Sequence, residues 1–231
     1  MSQYDLVVIG GGSAGLVVAG GAAQLGARVA LVEKKALGGD CLYTGCIPSK
    51  SLIRSARFAA DIRRANAFGF APTSLEFKDG AFAAIADRVA RVIETVGEHD
   101  KPERFEDWGV DVIFSAPRFV SPKELELTDH EGVKRTIKAK RYCISTGSRP
   151  AIPPIEGLKE AGFITNEEVF GLRKLPESLI VLGGGPIGLE LGQSFARFGS
   201  EVTIVEMDIG GRTFQRECVV SVKSITLLKG A

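Results

Sequence analysis

Two cysteines, Cys41 and Cys46, stand five residues apart in the stretch GGDCLYTGCIPSK, residues 38–50. Thiols this close do redox chemistry, bind metal, or sit reduced in a core. Zinc fits poorly: the spacing is C-x4-C, and neither His99 nor His130 has a thiol at ligand spacing. A reduced core pair would behave as small hydrophobes, which is at odds with the polar Asp40, Thr44 and Ser49 around it. Redox chemistry fits the neighbours. Pro48 suits a first helical turn, where its missing N–H is no loss, and residues 49–65 read as a helix. Cys46 then lies at or just before a helix N-terminus, whose dipole favours thiolate over thiol. Lys50 adds positive charge one turn in. Arg54, Arg57, Arg63 and Arg64 on the same helix read as a solvated face. Cys143 and Cys218 read as incidental.

A redox pair needs a source of electrons, and the chain has two seats for one. Residues 6–9 are a short apolar run, as in a buried parallel strand. G-x-G-x-x-G follows at Gly10, Gly12 and Gly15, then a helix over 16–25 ended by Gly26, then a strand over 28–33 closing on Glu33. The first glycine makes the tight turn, the second admits a pyrophosphate, and the third packs helix on strand. The helix N-terminus offers N–H groups to phosphate, and Glu33 is placed to accept from a ribose hydroxyl. Residues 179–206 align onto 6–33 without gaps, with Gly183, Gly185 and Gly188 on the three glycines and Glu206 on Glu33. Twelve of the 28 paired positions are identical, and each acid stands 23 residues after its first glycine. One fold unit used twice implies two dinucleotides. An acid at Glu206 accepts from a ribose 2′-OH and repels a 2′-phosphate, which favours NAD over NADP. Gly11 to Gly15 also reads G-x-S-x-G around Ser13, the nucleophile turn of hydrolases. That reading needs an acid and then a histidine downstream; both histidines precede the second unit, and Glu33 and the cysteines go unused.

Between the two units, residues 82–108 read as a long helical stretch with Val89, Val92, Ile93 and Val96 on one face, broken near Pro102, and Trp108 as core. Residues 66–80 read as a loop. Strands are expected over 110–114, 124–128 and 136–144, with turns at Ser121-Pro122 and 129–132. The basic run 134–141 alternates with apolar residues, as on an exposed strand face. Residues 150–154 make the best linker, which divides the chain into 1–150 and 151–231. The fold class expected is α/β: a doubly wound Rossmann-type dinucleotide-binding domain followed by an incomplete second Rossmann-type dinucleotide-binding domain. A net charge of +1 gives no field for nucleic acid or acidic membrane. The absence of a leader or a long apolar run points to the cytoplasm.

These motifs resemble those of the pyridine nucleotide-disulfide oxidoreductases, the group of dihydrolipoyl dehydrogenase, glutathione reductase and mercuric reductase. The carrying stretches are GGGSAG (10–15), GGDCLYTGCIPSK (38–50), STGSRP (145–150) and GGGPIGLELG (183–192). The CIPSK ending is more similar to the dihydrolipoyl dehydrogenase and mercuric reductase branch. The resemblance implies FAD on the first glycine turn, held by Gly10, Gly12, Ser13, Gly15, Glu33, Lys34, Gly39, Asp40, Lys50, Pro117, Thr146 and Gly147. It implies a nicotinamide on the second, held by Gly183, Gly185, Pro186, Ile187, Gly188 and Glu206. It implies a Cys41–Cys46 disulfide carrying electrons onward, with Cys46 against the flavin and Cys41 exchanging with substrate, and a Lys50–Glu190 pair at the flavin edge. The substrate implied is a small dithiol or disulfide, or Hg(II), with no resident metal.

Several positions depart from the family pattern. Pro186 replaces an aromatic gate, Asp40 a threonine, and Pro117 a backbone N–H donor; Tyr43-Thr44 is unusual between the cysteines. Family members also run about twice this length, ending in a domain that forms the homodimer interface and supplies a His–Glu base. The chain therefore reads as an N-terminal half with weak or no turnover alone. The alternatives are a non-catalytic nucleotide-binding fragment or half of a split enzyme. After Met207 the strand pattern fails, and an aggregating sheet edge beyond Glu206 is expected.

Overall fold

The computed structural model describes residues 3–71, 77, 80–129, 131–206 and the backbone of 224–227. His130 and Cys218 lie outside the described residues. The chain forms two compact units: residues 1–47 with 93–163, and residues 48–92 with 164–231.

The first unit opens with β1 (Tyr4–Ile9), α1 (Ser13–Gln24) and β2 (Val29–Glu33). A five-residue helix, α2 (Gly39–Tyr43), follows, and α3 (Cys46–Arg63) carries the chain into the second unit. α4 (Ala81–Gly97) brings it back, and α5 (Pro102–Asp107) starts at the expected break, with Pro102 in its first turn. Four strands complete the unit: β3 (Val110–Phe114), β4 (Ala116–Ser121), β5 (Glu124–Thr128) and β6 (Lys134–Ile144). Their order is β3-β2-β1-β6-β5-β4, parallel from β3 to β6 and antiparallel from β6 to β4. Strand order reverses between β1 and β6. In open α/β sheets ligands bind beyond the carboxyl ends of the strands at such a switch point.

The sequence dictates this layering. β1 and β2 are apolar at nearly every position and are buried on both faces, as parallel strands require. One face holds Val8, Leu31 and Val29 under α1; the other holds Val7, Ile9 and Val32 under Leu125, Leu127 and Ile137 of the antiparallel strands. α1 buries Leu16 together with Gly15, Ala19 and Gly20, small residues that let it lie close. A Cβ on Gly20 would stand 2.9 Å from the Trp108 ring, which packs edge-on to Phe105 as part of this core. In β6, Ile137 and Ala139 point inward while the basic residues are exposed. Lys138 and Lys134 pair across the sheet with Glu124 and Glu126. Opposite charges facing across strands favour this register.

β4 was not among the expected strands, because Pro117 and its exposed neighbours carry no alternating pattern. It is an edge strand, where proline is tolerated. Tyr4 donates its hydroxyl to the Asp111 carboxylate two strands away, and burial pushes its pKa up to about 12. The folded state thus keeps Tyr4 neutral where the unfolded chain ionises. Stability contributed by this group is intact below pH 10 and falls as pH rises from 10 toward 12. Tyr4→Phe is expected to flatten that alkaline limb in denaturant melts at a series of pH values; an unchanged limb would show that Tyr4 plays no part in it.

A single turn of helix, α6 (Leu158–Ala161), lies in the first unit. The second unit contains most of α3 and α4, β7 (Ser178–Leu182), α7 (Pro186–Phe198), β8 (Glu201–Glu206) and β9 (Ser224–Leu227). Phe82 of α4 meets Phe195 and Phe198 of α7 at 5.8 and 5.7 Å between ring centres. Asp87 pairs with Arg173 at 2.5 Å. The sheet order is β7-β8-β9, all parallel. No strand was expected after Glu206, yet the backbone of 224–227 pairs with β8, and β7 and β9 are the two edges of this sheet among the described residues.

Candidate functional site

The first glycine turn sits at the switch point and is built by close backbone contacts. Gly10 has φ +107°, which disfavours any side chain, and a Cβ there would collide with the Ser145 carbonyl after β6. A Cβ on Gly15 would collide with the Gly10 carbonyl. Gly12 differs. It is the N-cap of α1 in extended conformation, and a Cβ there would meet only Gly39 Cα at 3.7 Å. Its glycine is required by no neighbour among the described residues, which leaves an open floor before the helix. The amides of the first turn have no intrahelical acceptor, no side chain caps them, and no acid lies in that turn. The Glu33 carboxylate is held at the same place: Gly11 N–H donates to Oε2 at 2.6 Å and Lys35 N–H to Oε1 at 2.8 Å. Each oxygen keeps a lone pair for a hydroxyl. Ser13 opens α1 and is exposed, as are Lys34, Thr146 and Gly147, whereas Pro117 is partly buried in β4.

The stretch that carries the cysteines is stitched to this turn. Gly38 N–H donates to the Gly11 carbonyl at 2.8 Å, and Gly12 and Gly38 form a parallel bridge. Gly39 has φ +58°, and a Cβ on it would stand 2.6 Å from Gly12 Cα. Cys41 therefore rides on a short helix whose first residues lie against the glycine turn. Asp100 Oδ2 stands 3.2 Å from where a Cβ on Gly38 would be, and burial raises its carboxyl pKa. Thr44 N–H donates to the Asp40 carbonyl at 2.9 Å and turns the chain back. A Cβ on Gly45 would lie 2.8 Å from that carbonyl oxygen and 3.3 Å from Cys41 Cα. Cys46 follows at once as the first residue of α3, as its sequence context implied.

All three described cysteines are thiols; Cys46 is exposed and Cys41 is half-buried. Gly45→Ala is expected to push the start of α3 away from Cys41. Its Cys41–Cys46 couple should shift against glutathione by about tenfold, roughly 30 mV for two electrons. An unchanged potential would show that the close return at Gly45 does not set the cysteine geometry.

The second turn repeats the first. Gly183 has φ +106°, a Cβ on Gly188 would collide with the Gly183 carbonyl, and Gly184 N–H donates to Glu206 Oε2 at 2.6 Å. Gly185 is the N-cap of α7, with open space where a Cβ would be. Pro186 opens α7 and removes one N–H from the donors that Ser13 keeps in the first turn. Ile187 is exposed. Lys50 and Glu190 are both exposed and do not pair with each other here. Sequence reasoning passed over Ser145, Gly38 and Gly45 as site residues. The signal was present in the adjoining motifs, but their roles lie in contacts across the chain. Among the described residues no three His, Cys, Asp or Glu side chains gather to hold a metal, and no helix is long and apolar enough to cross a membrane.

The family model described as pyridine nucleotide-disulphide oxidoreductase matches residues 4–223. The chain belongs to this family. It is 34% identical over 218 residues to the dihydrolipoyl dehydrogenase of Acholeplasma laidlawii, covering 89% of this chain and 60% of that protein. Against the mercuric reductase of Serratia marcescens it is 38% identical over 205 residues, covering 87% and 44%. Among solved structures it resembles the Cu(II) complex of the HOCl-induced flavoprotein disulfide reductase RclA from Escherichia coli. That match has a TM-score of 0.76 and 28% identity, and covers 96% of this chain and 48% of the other. The chain spans about half the length of the relatives it matches. The family uses FAD and a nicotinamide dinucleotide. The open floor at Gly12, the uncapped first turn and the held Glu33 carboxylate fit a dinucleotide diphosphate and its ribose, so the residues present suit FAD.

Proposed function

We propose that this chain carries the electron-entry half of a flavin-dependent disulfide oxidoreductase, with FAD on the first glycine turn, NAD on the second, and Cys41–Cys46 as the disulfide between them and substrate. Residues 1–150 form the FAD-binding part and 151–231 the NAD-binding part in this reading. The observation that carries it is the stitching of Gly38 and Gly39 onto Gly11 and Gly12, which ties the cysteine stretch to the turn that seats the diphosphate.

When bound, FAD supplies the two-electron relay between nicotinamide and sulfur. The chain's own residues do the rest. The first-turn amides of α1 neutralise the diphosphate, and Glu33 orients the ribose. A pair of electrons breaks the Cys41–Cys46 bond and leaves one thiolate and, after proton uptake, one thiol. The N-terminus of α3 stabilises the thiolate at Cys46, which would lie toward FAD when it is bound, and Cys41 attacks substrate. Lys50, exposed on α3, would place positive charge near FAD when it is bound. The substrate class is a small dithiol or disulfide, or Hg(II), in keeping with the names of the relatives. A disulfide that cycles suits the cytoplasm.

The test is to load the purified chain with FAD, add NADH without oxygen, and count alkylatable thiols by mass spectrometry. Cys41 and Cys46 are expected to become reduced together. Cysteines that stay oxidised while NADH is present would contradict the proposal. Glu206 sets the nicotinamide preference in this reading, since its carboxylate repels a 2′-phosphate. NADPH should bind at least about tenfold more weakly than NADH, a gap of roughly 1.4 kcal/mol. Glu206→Arg should narrow or reverse it in a binding titration, and equal affinities in the unaltered chain would remove Glu206 from that role.

A further inference from the structure

The arginines of α3 and the residue after it do not all serve as a solvated face. Three are engaged within the second unit. Arg57 pairs with Asp61 at 3.9 Å, Arg63 donates to the Arg197 carbonyl, and the Arg64 guanidinium stands 5.8 Å from the centre of the Phe68 ring. Arg54 has no such partner among the described residues. It lines a cavity of about 400 Å³ whose walls all belong to the second unit. Phe58 of α3, Phe77, Ile85 of α4 and Phe198 at the end of α7 make the apolar part of that wall. Phe198 is fully buried, and Phe77 lies edge-on to it at 6.2 Å between ring centres. Phe58 is 59% exposed, an aromatic ring left to water beside the cavity. A second guanidinium, Arg88 of α4, lines the same space. It is fixed there: Nη1 donates to the Ser51 carbonyl at 3.1 Å and to the Ser51 hydroxyl at 2.6 Å, and Ser51 is itself buried. That leaves Nε and Nη2 to another acceptor. No Asp or Glu lines the cavity among the described residues, and neither arginine forms an ion pair there.

We propose that this cavity is a binding site for a small aromatic carboxylate, with the ring system against Phe58, Phe77, Ile85 and Phe198 and the anionic group between Arg54 and Arg88. Guanidinium groups stay charged at any physiological pH, and two of them beside one low-polarity space repel each other. A carboxylate relieves that repulsion and accepts paired N–H donors from a guanidinium. The aromatic walls supply the other half of the recognition, since burying a ring against them removes apolar surface from water and allows edge and offset ring contacts. An inorganic anion would leave those walls wet, and an uncharged aromatic would leave the two cations unmatched. The volume lies in the range of small-molecule pockets, roughly 300–1,000 Å³. The site shares no residue with the glycine turns or the cysteine stretch, so it goes beyond the electron-transfer reading and stands whether or not the chain holds FAD.

The test is a calorimetric titration of the full chain with 1-naphthoate, and with 1-naphthamide as the uncharged counterpart of the same shape. One naphthoate per chain is expected, with the amide bound at least about tenfold more weakly. Arg54→Gln should weaken naphthoate at least about tenfold and leave the amide nearly unchanged, whereas Phe58→Ser should weaken both probes. Arg54 and Phe58 are exposed, so the melting curves of these variants should match that of the unaltered chain. The comparison of the two probes needs no substitution and so stands apart from any effect on folding. An excess of ADP, which would fill the glycine turns, should not displace naphthoate. The absence of saturable binding, equal affinity for the amide, naphthoate binding unmoved by Arg54→Gln, or displacement by ADP would each overturn the proposal.

Discussion

Gly12→Ala is expected to leave a folded chain that no longer holds FAD, whereas Gly15→Ala is expected not to fold. The two glycines belong to one motif, but their surroundings differ. A methyl on Gly12 meets only Gly39 Cα at 3.7 Å, an ordinary contact, and its backbone is in an extended region open to alanine. The methyl occupies the floor that a diphosphate must approach, so FAD affinity should fall about a hundredfold, roughly 2.7 kcal/mol, with little change in melting. A methyl on Gly15 collides with the Gly10 carbonyl, and both partners are backbone. Relief requires α1 to lift from β1. That costs several kcal/mol, on the order of the whole stability of a domain. The second turn should show the same contrast, with Gly185→Ala impairing NADH binding and Gly188→Ala impairing folding. Circular dichroism with FAD titration of the first-turn variants and NADH titration of the second-turn variants separates the outcomes. Equal effects at Gly12 and Gly15 would show that the open floor is not a ligand seat.

FAD is expected to invert the reactivity of the two cysteines. In the structure Cys46 is the exposed thiol and Cys41 is half-buried, the reverse of the order needed if Cys41 meets substrate. The proposed function resolves this, because a flavin against Cys46 covers it. Alkylation of the reduced chain should therefore strike Cys46 first without FAD. With FAD bound, Cys46 should slow by at least about tenfold, the scale of protection by a bound ligand, leaving Cys41 as the faster site. Peptide mapping after brief iodoacetamide treatment reads both rates. Cys46 remaining the faster thiol with FAD bound would reverse the assigned roles.

Much of this site was legible because its determinants are local. A glycine turn between an apolar strand and a helix, closed by an acid, is a short-range pattern, and its repetition at 179–206 made it unmistakable. The start of α3 at Cys46 followed from Pro48, and the start of α5 from Pro102. What was not legible depends on contacts between distant residues. No sequence feature announces that Gly38 bridges to Gly12, or that Gly45 returns onto Cys41. β4 was missed because an edge strand needs no apolar alternation, and β9 because its pairing with β8 follows a stretch without strand pattern. A sheet edge was expected beyond Glu206; β9 pairs with β8 on that side and is itself an edge strand, as β7 is on the other.

The most direct test of the central claim is a visible absorption spectrum of the chain purified with FAD, taken before and after NADH under anaerobic conditions. The proposed function predicts a bound flavin spectrum that bleaches on NADH, with free flavin removed beforehand by gel filtration. A colourless protein after filtration, or a flavin spectrum that NADH leaves unchanged, would contradict it.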